Sequence, residues 1–511
     1  MFLNTTEIFK FQNYLHIKKA YFSVLWYNVA TKQAKTQKEI YAMATTLSQV
    51  MDDTQDPKDT IRIFLHQFGV GNLLRKCRAH KTKGFSVLQI FTYLLGCMFS
   101  PVSTYMSMKI GSFKEPFSKN TIYRFCNDSG INWHKFVRLL SERIISSFMR
   151  PVTSEDRVEY FVVDDTPFPK SGKKTELVSR FFNHVNMKHQ LGYRILTLIW
   201  TDGYSSIPVD FSPLSSRKAD LVVCEARKYD KRSIAGRIRK EAQQKAPDVM
   251  LELLRKAIHA GHSAKYVLFD SWFATPKGIT AIKQELALDV IAMLKKSGKV
   301  FYAYNGQQLD IKKIYSMNRK RRGRSKYLLS VEVSLLQKKN GAVVSSVPAR
   351  IVYVRNTANR KDWVALISTD TEISEEEIIQ RYGARWNIEV YFKTCKQYLK
   401  MLKECNSPSF DAFTCHLAIV AVRYMILSVR HRESSDDRTI GELFWLFTAE
   451  ASEISFDRSL WLILSILLET VQAFFHMSDS QMEEFVASFM SRLPEQIRKA
   501  LQPNFVGNIA A

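Results

Sequence analysis

Two short apolar runs, each ending in carboxylates, constrain the fold of this chain most strongly. The first, residues 159–166, is rich in β-branched and aromatic residues and ends in the pair Asp164 and Asp165. The second, residues 265–270, ends in Asp270. Both have the length and the residue types of buried β-strands. Because a helical stretch separates them, we predict a sheet with parallel members that carries acids at one edge.

The remaining chain divides into segments of different composition. A helical region is expected before the first strand and another at the C-terminus. A segment rich in Val, Tyr, Thr and Lys follows the second strand, with turns predicted at Asn305-Gly306 and Asn340-Gly341. The predicted regions are a helical, DNA-binding N-terminal region (1–150), a first part of an α/β core (151–291), a β-rich insertion (292–370), a second part of the core (371–430) and a helical C-terminal region (431–511).

The charge balance predicts a polyanionic partner. The formal net charge is +25 and the isoelectric point is about 9.6. Nucleic acid is the usual partner of such a chain, and a basic protein bound to ribosomes or membranes is the alternative. In the N-terminal region, residues 117–125 begin with a cap-like Ser or Asn and continue as an amphipathic helix, which suits a helix-turn-helix or a plain packing unit.

Nothing in the sequence directs the chain out of the cytoplasm. The seven cysteines form no C-x-x-C pair, which argues against a zinc site or a disulfide framework. The apolar run Leu460 to Phe475 is too short and too polar to span a bilayer, which needs about 20 apolar residues. We therefore expect a cytoplasmic, nucleoid-associated protein with no membrane partner.

The strand-end acids admit a catalytic and a structural interpretation. Two such ends side by side would form a negative cluster that a divalent cation neutralises, because an unpaired buried carboxylate is costly. A strand-end acid can equally cap the helix that follows it. The strands alone leave both interpretations open.

A third segment carries charged residues at helical spacing. Tyr382, Arg385, Glu389 and Lys396 stand at offsets 0, 3, 7 and 14, which return to one stripe of a helix. One helix face would therefore present an acid between two cations and a phenol. A salt-bridged, solvated helix face is the alternative.

The spacing Tyr-x2-Arg-x3-Glu-x6-Lys resembles the signature of the insertion-sequence transposase family called the IS-four family. Asp165-Thr166 is similar to the first acid motif of that family, and Asp270 is similar to the second. The 119 residues from Asp270 to Glu389 leave room for the β-rich insertion typical of the family. The resemblance spans about residues 158–425.

The resemblance implies an α/β fold with a ribonuclease H-like catalytic core, interrupted by a β-rich insertion and flanked by helical N- and C-terminal regions. It also implies two Mg²⁺ or Mn²⁺ ions held by Asp165, Asp270 and Glu389. Asp165 is chosen because the first acid of the family precedes Thr or Ser. Asp164 remains the alternative, because alternation places the two neighbours on opposite faces of a strand.

The implied activity is DNA transposition, with metal-dependent cleavage at the element ends and strand transfer into target DNA. Terminal inverted repeats and target DNA would be the partners, bound by a homodimer that pairs two ends. Tyr382, Arg385 and Lys396 would hold phosphates. Alternatives are a transposase-derived DNA-binding protein without catalysis, another ribonuclease H-like nuclease, or a basic interaction protein without enzymatic activity.

Two features of the expected insertion point to DNA as well. Residues 312–326 contain eight Lys or Arg, which would add salt-dependent affinity for DNA or form a solvated loop. Trp363 would either stack on a flipped base, as the resemblance implies, or pack in the core. The cations in the densest part of this cluster are Arg319, Lys320, Arg321, Arg322 and Arg324.

Overall fold

The structure is a computed structural model. It describes residues 57–100, 103–111, 113–154, 157–183, 187–322, 325–339, 342–356, 362–433, 471, 475 and 477–492. Arg324, the expected turn at Asn340 and Gly341, and nearly all of the apolar run 460–475 lie outside the described residues.

The described N-terminal part is helical, as predicted. Buried aromatic rings hold these helices together: Phe91, Trp133 and Phe136 contact one another at centroid distances of 5.5–6.1 Å. Ser86 caps the third helix by accepting a hydrogen bond from the Gln89 backbone. The helices are α1 (Pro57–Gln67), α2 (Val70–Lys76), α3 (Val87–Gly96), α4 (Thr104–Lys109), α5 (Lys119–Cys126) and α6 (Trp133–Ile144).

The core sheet is built from both predicted acid-bearing strands and four others. Its strands are β1 (Tyr160–Pro169), β2 (Ser179–Asn183), β3 (Lys188–Thr201), β4 (Ser206–Leu214), β5 (Tyr266–Phe269) and β6 (Asp289–Leu294). The order is β4–β3–β1–β5–β6, and β2 pairs with the first part of β3. Pairs β4–β3 and β3–β1 are antiparallel, whereas β1–β5 and β5–β6 are parallel. This order agrees with the predicted ribonuclease H-like core.

Helices connect the parallel strands. The stretch expected as one helix between β4 and β5 is two, α7 (Ile234–Ala242) and α8 (Ala246–His259). The break precedes Pro247, which sits in the first turn of α8, where its missing N–H costs no hydrogen bond. Helix α9 (Pro276–Leu286) then joins β5 to β6.

The expected β-rich insertion extends the core sheet instead of forming a separate sheet. It comprises β7 (Tyr302–Tyr304), β8 (Gln307–Leu309), α10 (Ile311–Met317), β9 (Leu329–Lys339), β10 (Ala342–Arg355) and β11 (Trp363–Ser368). Strand β11 pairs antiparallel with β6, so the sheet has eleven strands. The predicted turn at Asn305 and Gly306 is present, and both residues have the positive φ (47° and 75°) that a tight hairpin turn needs.

The second part of the core is helical. Helix α11 (Glu375–Gly383) begins with a capping box in which Ser374 and Glu377 exchange hydrogen bonds. Helix α12 (Trp386–Gln397) follows after two residues, so the single helix expected over 382–396 is interrupted at Ala384 and Arg385. The described residues end with α13 (Phe410–Glu433) and α14 (Asp479–Arg492).

Helix α13 is long and apolar enough to cross a membrane, the one such helix among the described residues. Its apolar window is 100% buried within the protein. Aromatic contacts with the sheet hold it there, since Phe413 lies 4.7 Å from the Tyr193 ring of β3 and 4.8 Å from the Phe168 ring of β1. This helix is accounted for as a core helix.

Candidate active site

Strand register brings two of the acids together. Val163 of β1 is the parallel partner of Phe269 of β5, and the next residues along the two chains are Asp164 and Asp270. Since neighbouring residues in a parallel pair point to the same side of a sheet, both carboxylates lie on one face. Asp165, one residue further, points to the opposite face.

Asp165 is engaged on that opposite face. Its carboxylate forms an ion pair with Arg194 of β3, and its side chain is only 5% exposed. Arg194 is a partner that the sequence analysis did not identify. The antiparallel pairing of β1 with β3 brings it there, and neither strand alone signals that pairing.

Glu389 joins Asp164 through an arginine. Arg385 Nη1 donates to Asp164 Oδ2 at 3.1 Å, and its Nη2 donates to Glu389 Oε1 at 2.5 Å. The side chains of Asp164, Arg385 and Glu389 are 21%, 16% and 35% exposed, so solvent reaches all three. The interruption between α11 and α12 places Arg385 at the N-terminus of α12, one turn before Glu389.

The electrostatic setting of Asp164 is unfavourable for its charge. Burial, together with the negative charges of Asp165 and Asp270, raises the pKa of this carboxyl to about 7. Only Arg385 and a backbone hydrogen bond act in the other direction. A cation at this position would relieve the repulsion between the two strand-end acids.

The other two residues of the spaced signature flank the same face. Lys396 Nζ donates to the hydroxyl of Thr166, which lies two residues after Asp164 and on its side of β1. Burial lowers the pKa of Lys396. Tyr382, in the last turn of α11, is partly buried, and burial raises the pKa of its hydroxyl above the usual range. The structure therefore gathers Tyr382, Arg385, Glu389 and Lys396 around Asp164.

The basic cluster of the insertion contacts its own module. Between α10 and β9, Arg321 lies 4.1 Å from the centroid of the Tyr327 ring, and Lys320 lies 4.7 Å from that of Tyr315. Arg319 and Arg322 are exposed. These four cations are available to a polyanion on the protein surface.

Trp363 belongs to an aromatic cluster inside the insertion. Its indole stacks on Tyr315 with centroids 4.8 Å apart, and the Tyr353 ring meets it edge-on at 5.1 Å. The ammonium of Lys296 lies 4.3 Å from the same ring centroid. The structure thus places Trp363 in packing contacts, which was the second of the two interpretations of this residue.

The acids on the Asp164 face have the donor chemistry of a site for hard cations. Carboxylate oxygens are the ligands that Mg²⁺ and Mn²⁺ prefer, and the raised pKa of Asp164 reflects the burial of its carboxyl and, to a smaller extent, the negative charges of Asp165 and Asp270. As the described side chains are placed, no three His, Cys, Asp or Glu residues converge closely enough to hold a metal. Arg385 instead supplies the positive charge between Asp164 and Glu389.

The matched family decides the class of the protein. A family model described as "DDE superfamily endonuclease" matches residues 92–359, which is more than half of the chain. This chain is a DDE superfamily endonuclease. The matched segment contains Asp164, Asp165 and Asp270 and ends before Glu389. The family confirms the predicted fold class and the predicted DDE type of enzyme, and DDE endonucleases generally depend on divalent metal ions.

Comparisons with individual proteins add little to what the family match shows. No curated protein matches this DDE endonuclease. A solved structure titled "Drosophila P element transposase strand transfer complex" is similar at 14% identity, with 54% of this chain covered and a TM-score of 0.22. The match covers 55% of that chain, about half of its length. A TM-score of this size does not establish a common architecture.

Proposed function

We propose that this DDE endonuclease is a DNA transposase that cuts element ends and joins them to target DNA, with Asp164, Asp270 and Glu389 as its acids. The observation that carries the proposal is that Asp164 and Asp270 directly follow the paired residues Val163 and Phe269 of two adjacent parallel strands. Glu389 is joined to Asp164 through Arg385. The resemblance of Tyr382, Arg385, Glu389 and Lys396 to the IS-four signature supports the same activity.

Asp164 replaces Asp165 as the proposed first acid. Asp164 shares a face of the sheet with Asp270, and it contacts Arg385. Asp165 is buried on the other face and already neutralised by Arg194. Thr166 lies two residues after Asp164 on the same face of β1, and its hydroxyl accepts a hydrogen bond from Lys396. The Thr of the family motif therefore lies on the same side of the strand as Asp164.

The proposed cofactor is a pair of Mg²⁺ or Mn²⁺ ions held by Asp164, Asp270 and Glu389. When bound, such ions would activate a water molecule and stabilise the leaving oxygen of a phosphodiester. The half-exposed carboxylate of Glu389 can turn from Arg385 towards the strand ends, because it makes only one contact with that guanidinium.

The cations around the acids would hold DNA in position. Once Glu389 turns away, Arg385 has a free edge of its guanidinium with which to grip phosphate oxygens. Lys396, anchored near Asp164 by Thr166, would bind a neighbouring phosphate. The surface cations Arg319, Lys320, Arg321 and Arg322 would add sequence-neutral affinity along the duplex.

Further expectations of the sequence remain part of the proposal. They are DNA binding by the N-terminal helices, terminal inverted repeats and target DNA as partners, a homodimer on paired ends, and action at the nucleoid. The exposed side of α5, which includes Lys119, Asn120, Tyr123 and Arg124, has the polar and basic residues that a groove-binding helix needs.

The test is cleavage of a supercoiled plasmid that carries the flanking ends of the gene, with Mg²⁺ or Mn²⁺. Wild type should release the element. Asp164→Asn and Glu389→Gln should still bind DNA but cleave it at least about 1,000-fold more slowly, as expected for loss of a group that stabilises the transition state. Asp165→Asn is the matched control and should retain cleavage if it folds.

The result also separates the rival functions. Binding without cleavage by wild type would indicate a DNA-binding protein derived from a transposase. Cleavage without joining of the released ends to a target would indicate another ribonuclease H-like nuclease. If Asp165→Asn loses cleavage while Asp164→Asn remains fully active, Asp165 is the first acid of the active site.

A further inference from the structure

The strand that carries Asp164 continues well beyond the edge of the sheet at which the acids lie. Strand β5 ends at Phe269, whereas β1 runs on to Pro169, which pairs with Gly192 of β3. Ser179, the first residue of β2, pairs with the same glycine. At about 3.3 Å per residue, this level lies roughly 17 Å past Asp164 along the strand. Since a duplex rises about 3.4 Å per base pair, segments here would meet DNA some five base pairs from the acids.

Two segments at this level present exposed cations on one surface. Segments 173–180 and 217–227 contain three cations each, all exposed, whereas Asp220 and Glu225 are their only exposed acids. Within the described part of the chain, five of the six cations form no ion pair with a carboxylate, and the sixth lies 3.9 Å from Glu176. We call this surface the basic ledge, and its cations are Lys173, Lys174, Arg180, Arg217, Lys218 and Arg227.

A buried base fixes the two segments against each other. The carbonyl of Val178, which is fully buried, accepts a hydrogen bond from the Val223 backbone at 2.9 Å. Glu176 is 2% exposed and accepts hydrogen bonds from the Arg227 backbone at 2.7 Å and from the Arg239 guanidinium of α7. The cations therefore project from a fixed backbone, which lowers the loss of loop entropy on binding.

A second basic surface lies on the other side of the acids. The backbone of Arg321, within the cluster 319–322, is hydrogen-bonded to Leu328, which in turn is hydrogen-bonded to Tyr353 of β10. Across β11, Tyr353 is level with Leu294, the last residue of β6, so the cluster lies at the edge where the parallel strands end. In the strand order the ledge is on the β3 side of β1 and β5, and the cluster is on the β11 side. Exposed cations are common singly, but basic surfaces on both sides of the acids match the path of a long polyanion.

We propose that the basic ledge binds the sugar–phosphate backbone of double-stranded DNA that extends past the active site, without reading its sequence. Lysines and arginines on loops and on an edge strand reach phosphates, whereas base recognition needs an element inserted into a groove. Duplex DNA carries about one negative charge per 1.7 Å of its axis, a density that suits a surface of clustered cations. The inference rests on the proposed function, because it takes DNA to be the substrate held at the acids.

The experiment measures DNA binding without metal, so that it is independent of cleavage. The full chain is titrated in EDTA with a fluorescent duplex of unrelated sequence at several salt concentrations. Two double variants, Lys173→Gln with Lys174→Gln and Arg217→Gln with Lys218→Gln, each remove two charges from the ledge. Each should lower the slope of log K against log salt by about 1.8, since one lost contact with a duplex phosphate is worth about 0.9.

A matched pair of substitutions separates the position of the charges from their number. Arg157→Gln with Lys265→Gln removes the same charge from exposed cations at the opposite edge of the sheet, just before β1 and β5 begin. This pair should leave the slope unchanged. The ledge pairs should weaken binding to the unrelated duplex and to a duplex with the flanking ends by the same factor, because phosphate contacts carry no sequence information. Circular dichroism checks that every variant is folded.

The outcomes distinguish the basic ledge from the proposed function. A slope within about 0.5 of the wild-type value in either ledge pair overturns the ledge and leaves the transposase proposal standing. An equal loss in the opposite-edge pair also overturns it, because net charge alone would then govern binding. Weaker binding to the flanking ends alone overturns the sequence-neutral role. Failure of wild type to bind either duplex overturns both proposals together.

Discussion

Two arginines in this protein each bridge a pair of carboxylates, and they do so in opposite environments. Arg239 of α7 joins Glu176 to Asp411 with four hydrogen bonds of 2.5–2.9 Å. Arg385 joins Asp164 to Glu389 with one hydrogen bond to each. The first group is at most 4% exposed, whereas the side chains of the second are 16–35% exposed.

The pKa values of Glu176 and Asp164 are shifted in opposite directions, in line with the number of hydrogen bonds that each carboxylate accepts. Glu176 is buried, yet hydrogen bonds from Arg239 and two backbone N–H groups lower its pKa, so the buried site favours its charge. Burial raises the pKa of Asp164 to about 7, because this carboxyl has fewer hydrogen-bond partners to offset burial and also has two acidic neighbours. The buried group is saturated and structural. The exposed group has spare acceptor capacity, which is what a cation-binding site requires.

The largest effect should follow removal of the buried arginine. Arg239→Ala leaves Glu176 and Asp411 buried without a counter-ion, and we expect it to lower the free energy of unfolding by about 3–5 kcal/mol. Chemical denaturation followed by circular dichroism measures this. A loss below about 1 kcal/mol would mean that the two arginine bridges are equivalent and that burial does not distinguish them.

Metal should stabilise the protein through the exposed group alone. With Mn²⁺ at about 100 times its Kd, the free energy of unfolding should rise by about 2.7 kcal/mol in wild type. Asp164→Asn, Asp270→Asn and Glu389→Gln should lose this gain, and Asp165→Asn should keep it. Thermal denaturation with and without EDTA provides the readout, and a gain that survives in Asp164→Asn would contradict the assignment.

The raised pKa of Asp164 predicts a pH-dependent gain in stability when its charge is removed. Between the unfolded pKa of 3.8 and the folded value of about 7, the unfolded chain releases the proton first, so the Asp164 carboxyl costs stability as pH rises through this window. Asp164→Asn in EDTA should therefore stabilise the fold at pH 8, by about 2 kcal/mol after allowance for partial exposure. The difference should vanish below pH 4.

Glu176→Gln is the counterpart of that variant and should act in the opposite direction. Because the pKa of Glu176 is lowered, its charge stabilises the fold above the unfolded pKa, and this contribution is lost as pH falls. The substitution should therefore destabilise the protein at pH 8. Two variants that shift stability in the same direction would remove the distinction between the groups.

The smallest effect on stability should come from the exposed arginine. Arg385→Ala removes a solvent-accessible bridge, and we expect the free energy of unfolding in EDTA to change by less than about 1 kcal/mol. Because Arg385 no longer competes for Asp164 and Glu389, the affinity for Mn²⁺ should increase. Titration calorimetry with Mn²⁺ checks this, and weaker binding would show that Arg385 supports the metal site instead of competing with it.

The sequence predicted the two acid-bearing strands and the β-rich insertion, because strand texture and turn residues are local signals. It could not choose between Asp164 and Asp165. Because successive side chains of a strand point to opposite faces of the sheet, the sequence shows that Asp164 and Asp165 lie on different faces. Only the packing of α12 on β1 determines which face Glu389 lies on. The contact joins residues 221 positions apart, and no local pattern encodes it.

The interpretation of Trp363 depended on long-range packing in the same way. A tryptophan at the start of a strand has the same sequence signature whether its ring is covered or free. Tyr315, which covers it, comes from α10, 48 residues earlier. The break at Ala384 and Arg385 was equally hidden, since both residues keep near-helical backbone angles.

The pairing of β11 with β6 has a consequence for aggregation. Without the insertion, β6 would be a bare sheet edge of apolar residues able to recruit strands from other molecules. With it, one end of the sheet is β8, a three-residue strand with two exposed glutamines. Near the other end, β4 contains Pro208 and Pro213, which cannot donate to an added strand. The insertion therefore lets a chain with a long, apolar sheet remain resistant to edge-to-edge polymerisation.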